Sequence, residues 1–301
     1  MSMSIFDRPM FHDDDAAREY LESVRWPDGV VCPHCGCMEN STRLQGQKHR
    51  AGLWKCNDCR QQFSVTVGTV FESSKVPLHK WMLATHLICS SKKGISSHQL
   101  HRTLGVTYKT AWFMAHRIRE AMSTDGLTRK LGRGEGTTVE ADETYWGNTS
   151  GAPVRRGYDH KMKVFSIVER EGHVRSWHVD DVKADTLVPL ITGNVLAGTN
   201  VYTDEARIYR RLDKMTEFPH DVVSHEYDEY VRGNVHTNTI EGYFSIFKRG
   251  MKGVYQHCSS EHLKRYLAEF DFRYNTRDEN DLTRTGMALQ GIHGKRLYYS
   301  N

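Results

Sequence analysis

The chain has 301 residues, of which 26% are charged and 38% hydrophobic, and a formal net charge of +4. This length accommodates two or three domains with at least one hydrophobic core, and the composition is ordinary for a soluble protein. No apolar run approaches the roughly 20 residues that span a bilayer, and the N-terminus lacks the basic segment and apolar core of a signal peptide. We therefore expect a cytoplasmic protein with no membrane partner.

Positive charge is concentrated in one segment. Residues 76–133 contain ten Lys and Arg against two acids, a net charge of +8, which leaves the rest of the chain at −4. A basic segment within an otherwise balanced protein is typical of a local polyanion site. For any single Lys, a solvated helical face is the alternative interpretation.

Two CxxC pairs lie in the N-terminal part of the chain, residues 1–75, with 20 residues between them. The four cysteines are Cys32, Cys35, Cys56 and Cys59. Thiolates at this spacing predict one tetrahedral Zn²⁺ in a zinc ribbon, and the site is structural because four protein ligands leave no open position. Cys37 and His34 are competing ligands, and a chance cluster of unliganded thiols is the alternative.

Residues 76–125 predict a helix-turn-helix DNA-binding domain. After a helix that follows Pro77, two helical patterns flank a turn at Gly105, and the second begins at Thr107. This pattern is typical of a helix-turn-helix, although His101 occupies a position where small residues are usual. A plain helical hairpin is the alternative. The side chains predicted to contact phosphates and a few base edges are Tyr108, Lys109, Trp112, His116, Arg117 and Arg119.

Residues 126–136 are Gly-rich, polar and basic, and predict a linker. From 137 to 280 the pattern predicts a strand, a hairpin turning at 171–172, a helix, a further strand, an irregular stretch and another helix. The order β, β, β, α, β, α is the layout of a ribonuclease H-like fold, an α/β core with a mixed sheet. The chain is therefore predicted to be a multidomain α+β protein, ending in a tail at 281–301.

Residues 236–248 predict the last of these helices, with its N-terminus capped by the side-chain oxygens at 237–239. Glu241 then lies in the first turn. Lys248 follows two turns later on nearly the same face. Taken alone, the pair is equally typical of a solvated acid and base on an amphipathic helix.

The acids of this region predict a catalytic metal site. Asp142, Asp204 and Glu241 converge in such a fold, and carboxylates without Cys or His form an all-oxygen site for Mg²⁺ or Mn²⁺. Two ions about 4 Å apart activate a water or a 3′-hydroxyl and stabilise the leaving oxygen, which is phosphoryl transfer on nucleic acid. Asp142 would bridge both ions, and Lys248 would position a phosphate. The acids interpreted as flanking surface residues are Glu140, Glu143 and Glu205.

Several stretches together resemble one known family. They are CPHC with CNDC, FSVTVGTVFESSKVPLHKW, LGVTYKTAWFMAHRIR, VEADETYWG, VYTDEARIY, HTNTIEGYFSIFKRGMKGVY and EFDFRYNTR. In these stretches, which cover nearly all of residues 32–277, the chain resembles bacterial insertion-sequence DDE transposases that carry an N-terminal zinc ribbon and are related to the eukaryotic Merlin elements. The loop that begins WGNTSG departs from the more Gly-rich sequence of the family.

The resemblance implies a catalytic set of Asp, Asp and either Glu or Asn. Carried over, these are Asp142, Asp204 and either Glu241 or Asn238, with 36 residues between Asp204 and Glu241. Glu241 is favoured because an anionic oxygen holds a divalent cation better than an amide oxygen does. A basic residue at the position of Lys248 is frequent in DDE transposases.

The expected function is that of an insertion-sequence DNA transposase. It would bind the terminal inverted repeats of the element and target DNA as double-stranded DNA, and catalyse metal-dependent strand cleavage and strand transfer. By resemblance, it works as at least a dimer on paired ends, with the bacterial nucleoid as its location. The alternatives are a nuclease or resolvase on the same fold, and a domesticated, non-catalytic DNA-binding protein.

Overall fold

The computed structural model describes residues 4–123, 129–149, 151, 153–154, 157–223 and 235–297. The α-helices are α1 (Asp14–Arg25), α2 (Leu78–Ser90), α3 (Ser97–Leu104), α4 (Tyr108–Met122), α5 (Ala184–Asn194), α6 (Asn238–Gly250), α7 (Ser260–Asn275) and α8 (Asp281–Gln290). Short 3-10 segments are Ile5–Asp7, Pro9–Phe11 and Arg207–Lys214, and a π-helical turn is Met251–Tyr255. The strands are β1 (Ser41–Arg43), β2 (Trp54–Cys56), β3 (Gln62–Phe63), β4 (Thr138–Trp146), β5 (Met162–Glu169), β6 (Val174–Val179), β7 (Asn200–Asp204) and β8 (His220–Val223).

The chain divides into two compact units, with boundaries after Ser123 and after Arg277. The first unit combines the N-terminal part of the chain with the segment that begins at Asp278. The second unit lies between these boundaries. Residues 1–75 and 76–125, which the sequence treats as separate domains, thus fall almost entirely in one unit.

The first unit is built around α2. Pro77 precedes this helix, and its buried side chains include Trp81, Met82 and Ile88. Helices α1, α4 and α8 all pack against it. The segment predicted as a C-terminal tail therefore contributes a helix to this core, where Leu289 is fully buried.

A small antiparallel sheet in the same unit has the order β1-β2-β3. Cys56 on β2 lies opposite Ser41, and Trp54 lies opposite both Arg43 and Phe63. Trp26, which follows α1, makes edge-on ring contacts with Trp54 and Phe63. Aromatic packing therefore holds the sheet that carries Cys56 against the C-terminal end of α1.

Helices α3 and α4 are joined by a tight turn. Ser96 caps α3 through the N–H of Gln99, and Thr107 caps α4 through the N–H of Thr110. Between them, Gly105 has φ 61°, a left-handed conformation that glycine adopts without strain. The two helices and the intervening turn occur where the sequence predicts them.

The second unit is organised on a five-stranded mixed sheet with the order β6-β5-β4-β7-β8. Strands β4, β5 and β6 pair antiparallel, whereas β7 runs parallel to both β4 and β8. The hairpin between β5 and β6 turns where predicted, with Glu171 at φ 56°. The sequence predicted only an irregular stretch after β7, and β8 lies within it. Residues 224–234 of that stretch lie outside the described residues.

Helices cover both faces of this sheet. On one face, α6 and α7 bury an apolar cluster against β5 and β6 that includes Val164, Phe244 and Phe247. On the other face, α5 and the 3-10 segment after β7 pack on Val139 and Ala141 of β4. Because side chains alternate along a strand, Glu140 and Asp142 project toward the α6 face.

The predicted linker at 126–136 is only partly described, since 126–128 lie outside the described residues. Its remainder belongs to the second unit. Leu131 is buried in the cluster on the α5 face and forms a bridge with Val195. Residues 129–136 therefore start the second unit instead of separating two domains.

Candidate metal and nucleic-acid sites

Four cysteine sulfurs converge beside the small sheet. Among the described residues, the atoms of Cys32, Cys35, Cys56 and Cys59 all lie within 4.8 Å of one another. Cys32 Sγ lies 3.7 Å from Cys59 Sγ, and Cys35 Sγ lies 3.6 Å from Cys56 Sγ. A tetrahedron with Zn–S bonds of about 2.3 Å has edges of about 3.8 Å, so these separations suit one structural zinc.

The two competing ligands lie outside this group. His34 Nε2 lies 3.4 Å from the carbonyl oxygen of Gln62. The Cys37 thiol donates to the carbonyl of Met38, and its neighbour Asp58 raises its pKa to about 11, which favours the neutral thiol. The regular CxxC pairing therefore identifies the four ligands.

Asp142 and Asp204 lie on neighbouring parallel strands. Glu140 of β4 lies opposite Tyr202 of β7 in the parallel ladder. Asp142 comes two residues after Glu140, and Asp204 comes two residues after Tyr202. Parallel strands advance in the same direction, so the two aspartates lie at the same edge of the sheet. Asp142 Oδ1 accepts from the N–H of Glu143 at 2.7 Å, and Asp204 Oδ1 accepts from the N–H of Ala206 at 3.1 Å.

The electrostatics of Asp142 report which acids surround it. Burial raises its pKa well above the usual aspartate range, and the charges of Glu143, Asp204 and Glu241 raise it further. Asp142 therefore lies close enough to Asp204 and Glu241, the other two predicted metal ligands, to feel their charges. Among the described residues no three of these carboxylates lie within 4.8 Å of one another, as the cysteine sulfurs do. The donor set nevertheless fits a divalent cation, because its charge would offset this repulsion.

The interpretation of Glu143 as a flanking surface acid is wrong, because its side chain is partly buried and bound by another residue. Tyr209, fully buried on the α5 face, donates its hydroxyl hydrogen to Glu143 Oε2 at 2.5 Å. Burial raises the pKa of Glu143, and the charge of Asp204 acts in the same direction. Glu205 is exposed, as interpreted.

Glu241 lies in the first turn of α6, as predicted. It is exposed, and its Oε1 accepts from the hydroxyl of Thr237 at 3.0 Å. Asn238, the alternative third residue, is the first residue of the helix and is exposed, as is Lys248 two turns beyond Glu241. Glu241, Asn238 and Lys248 thus all lie on the solvent-facing side of α6.

The N-terminus of α6 is capped, but not by the side-chain oxygens at 237–239 that the sequence predicted. The N-cap residue, Thr237, makes no side-chain capping bond. Instead, Glu140 of β4 caps the helix, since its Oε2 accepts from the backbone N–H of Thr239 at 2.8 Å and of Ile240 at 3.0 Å. Glu140 is 0% exposed, so its interpretation as a flanking surface acid is also wrong.

The residues predicted to contact DNA divide into two groups along α4. Tyr108 and Lys109 are exposed in its first turn, Trp112 is half-buried, and Tyr108 stacks on His98 with ring centroids 4.3 Å apart. The residues farther along are buried, with exposures of 0% for His116, 7% for Arg117 and 1% for Arg119.

This burial has a structural cause. The C-terminal half of α4 is enclosed by α2 and α8. Arg117 donates to the carbonyl of Glu72, and its guanidinium lies 4.9 Å from the Phe113 ring. Side chains enclosed in this way cannot reach a DNA phosphate without leaving the core. We therefore retain the prediction of DNA contact only for Tyr108, Lys109 and Trp112.

The chain is similar to known protein families and to proteins of other organisms. Residues 134–275 match the family model of the ISXO2-like transposase domain, and residues 12–62 match that of the transposase zinc-ribbon domain. The chain is 32% identical over 281 residues to a protein in the transposable element ISH50 of Halobacterium salinarum, covering 87% of this chain and 91% of that protein. It is also 30% identical over 115 residues to a transposase-like protein of Haemophilus influenzae, covering 38% of this chain and 83% of that protein.

The chain belongs to the ISXO2-like transposase family of insertion sequences and carries its zinc-ribbon domain. In the part of the chain that the structure describes, no helix combines the length and the apolar character needed to cross a membrane.

Proposed function

We propose that this chain is the DNA transposase of an insertion sequence, which binds terminal inverted repeats and catalyses metal-dependent strand cleavage and strand transfer. The observation that carries the proposal is the electrostatic proximity of Asp142, Asp204 and Glu241 in a member of a transposase family. The strand order and directions of the second unit support a ribonuclease H-like fold, in which such acids meet at one sheet edge.

The proposed metal ligands are Asp142, Asp204 and Glu241, which offer hard, anionic oxygens suited to Mg²⁺ or Mn²⁺. Bound there, the ions would supply Lewis acidity and an activated oxygen nucleophile for phosphodiester chemistry. Asp142 is the central ligand because the other two acids both influence its pKa. Lys248, exposed on the same helix as Glu241, provides a cation for a DNA phosphate.

Glu241 is the preferred third ligand over Asn238. Its carboxylate is oriented by a hydrogen bond that Oε1 accepts from the hydroxyl of Thr237. Its charge also acts on Asp142, as expected of a group facing the same site. The amide of Asn238 is neutral and exposed one turn earlier, so it is the weaker candidate for a cation.

The first unit supplies the proposed DNA-binding surface. Tyr108, Lys109 and Trp112 lie at the N-terminal end of α4, where an exposed aromatic and a cation suit contacts with bases and phosphates. The zinc site holds the ribbon loops in place by cross-linking them. Activity on paired element ends implies at least a dimer on DNA, and action on chromosomal DNA implies association with the nucleoid.

The test uses a duplex that carries the element's terminal inverted repeat, taken from the DNA that flanks the reading frame. With Mg²⁺ or Mn²⁺, the purified chain should nick this end and join it to a target duplex. Asp142→Asn, Asp204→Asn and Glu241→Gln should each reduce both steps to background while retaining DNA binding. Glu205→Gln is the matched control, because it removes an exposed neighbouring charge and should keep both steps.

Three outcomes would contradict the proposal or part of it. Cleavage without joining would indicate a nuclease, and binding without metal-dependent cleavage would indicate a regulator. Full activity in Glu241→Gln, together with loss in Asn238→Ala, would move the third ligand to Asn238.

A further inference from the structure

We propose that Glu140 is a positioning residue that sets the geometry of the metal site by fixing three chain segments to one another. The inference rests on the proposed function, because the segments are those that carry Asp142, Asp204 and Glu241. It concerns a residue with no place among the proposed ligands, two positions before Asp142 and fully buried.

The first link joins β4 to α6. Glu140 Oε2 accepts from the backbone N–H of Thr239 and Ile240, and Oε1 accepts from the Thr239 hydroxyl at 2.8 Å. These bonds supply acceptors to a helix terminus that lacks a local side-chain cap. Glu241 follows in the same turn of α6, so the carboxylate that caps the helix also fixes the position and rotation of Glu241 relative to β4.

The second link runs through Arg170, which follows β5. Its Nε donates to Glu140 Oε1 at 2.7 Å, and its Nη2 donates to the carbonyl of His236 at 2.9 Å. The guanidinium therefore ties Glu140 to the chain that enters α6. A second contact of Nη2 reaches His236 Nδ1, also at 2.9 Å.

The third link reaches β7. The Arg170 guanidinium lies 5.0 Å from the ring centroid of Tyr202, a cation–π contact. Tyr202 is the residue opposite Glu140 in the parallel ladder, and Asp204 lies two residues beyond it. Each of the three proposed ligands therefore lies within two residues of a group held by Glu140 or by its partner Arg170.

The chemistry of these contacts requires a carboxylate. Among the described residues, Glu140 accepts four hydrogen bonds, two at each oxygen, and His236 Nδ1 lies 3.3 Å from Oε1. A glutamine of the same shape would turn an NH₂ group toward two of these donors in either amide orientation, since only its oxygen accepts. Glu140→Gln therefore disrupts the links while preserving side-chain volume, and the loss falls on the geometry of the metal ligands.

The experiment measures Mn²⁺ binding by the full chain, with free Mn²⁺ followed by electron paramagnetic resonance, so that activity is not needed as a readout. We expect Glu140→Gln to weaken Mn²⁺ binding by about 10- to 100-fold, as found when groups that orient metal ligands are changed. Thr239→Val, which removes only the hydroxyl donor, should weaken it in the same direction by less. The matched control is Glu135→Gln, an exposed acid preceding β4, which should bind as the wild type does.

Thermal unfolding of each variant separates positioning from general stability. A merely structural role would lower the unfolding temperature of Glu140→Gln but leave Mn²⁺ binding by the folded protein unchanged, and that result would overturn the inference. Thr239→Val keeps the test decisive if Glu140→Gln does not fold, because wild-type Mn²⁺ binding in Thr239→Val would then overturn it.

The same titration distinguishes failure of this inference from failure of the proposed function. If the wild type binds Mn²⁺ and Asp142→Asn does not, the metal site is as proposed. If Glu140→Gln and Thr239→Val then bind Mn²⁺ as the wild type does, only the role of Glu140 is overturned. Wild-type protein whose Mn²⁺ binding is absent, or is unchanged in Asp142→Asn, would overturn the proposed metal site and this inference with it.

Discussion

Tyr243 on α6 donates its hydroxyl hydrogen to Asp271 Oδ1 on α7 at 2.5 Å. The same carboxylate accepts from the hydroxyl and the backbone N–H of Ser176 on β6, at 2.7 and 2.8 Å. Asp271 therefore joins both helices of one face to the edge strand of the sheet. The group is buried, and burial outweighs these hydrogen bonds and raises the pKa of Asp271 to about 6.

This raised pKa predicts a pH dependence of stability. In the unfolded chain the carboxyl group has a pKa of about 3.9, so between about pH 4 and pH 6 the folded protein binds the proton more tightly than the unfolded protein does. Stability from this group is then greatest below pH 4 and is lost as the pH rises through 6. We expect the loss to be about 3 kcal/mol in the free energy of unfolding.

The measurement is denaturant unfolding across this pH range. Asp271→Asn should remove the corresponding slope, whereas Asp159→Asn, which changes an exposed aspartate of the same unit, should keep it. The difference between wild type and Asp271→Asn isolates the group, because other carboxylates titrate in both proteins. Parallel profiles for the two would contradict the prediction.

Zinc content provides a test of the cysteine cluster. The wild-type chain should contain about one zinc per molecule, and Cys56→Ser should lose it, because removal of one thiolate opens the tetrahedral site. Cys37→Ser is the matched control, since Cys37 lies outside the cluster and should leave zinc content unchanged. Metal analysis of the purified proteins gives the ratios. Zinc loss in both variants would assign Cys37 to the site as well.

Local features of the sequence were sufficient to predict much of this structure. The CxxC spacing identified the four cysteines that converge, and Gly105 with the helix start predicted at Thr107 identified the turn between α3 and α4. The strand patterns identified four strands of the mixed sheet, including the β5–β6 hairpin, but not β8. Each of these signals depends on residues close together in the chain, where spacing determines geometry.

The errors concern charged residues whose partners are distant in sequence. Glu140 was interpreted as a surface acid because the strand pattern does not indicate that Thr239, about 100 residues later, donates to it. His116 and Arg117 were predicted to face DNA from their spacing along the helix. That spacing is the same whether this half of α4 is exposed to solvent or buried by other helices. Burial by α8 decides this, and α8 belongs to a segment predicted as a tail.

Tyr209→Phe tests the unexpected burial of Glu143. The change removes the hydroxyl that donates to Glu143 Oε2, while the ring keeps its apolar contacts. A hydrogen bond to a charged, partly buried acceptor contributes about 2 kcal/mol, so the free energy of unfolding should fall by about that amount at pH 7. Tyr145→Phe on β4 is the control, because its hydroxyl makes no hydrogen bond with any residue that the structure describes, and it should change stability little. Equal stability of all three proteins would show that this bond contributes nothing.

Lys109→Ala tests the proposed DNA surface at the start of α4. Lys109 is exposed in the first turn, so its loss should weaken binding to specific and unrelated duplexes by similar factors. Each phosphate contact contributes about 0.9 to the slope of log affinity against log salt concentration, and the variant's slope should fall by about that amount. Lys214→Ala, an exposed lysine of the other unit, should keep the wild-type slope. Fluorescence anisotropy at several salt concentrations gives both slopes, and an unchanged slope in Lys109→Ala would remove Lys109 from the DNA contacts.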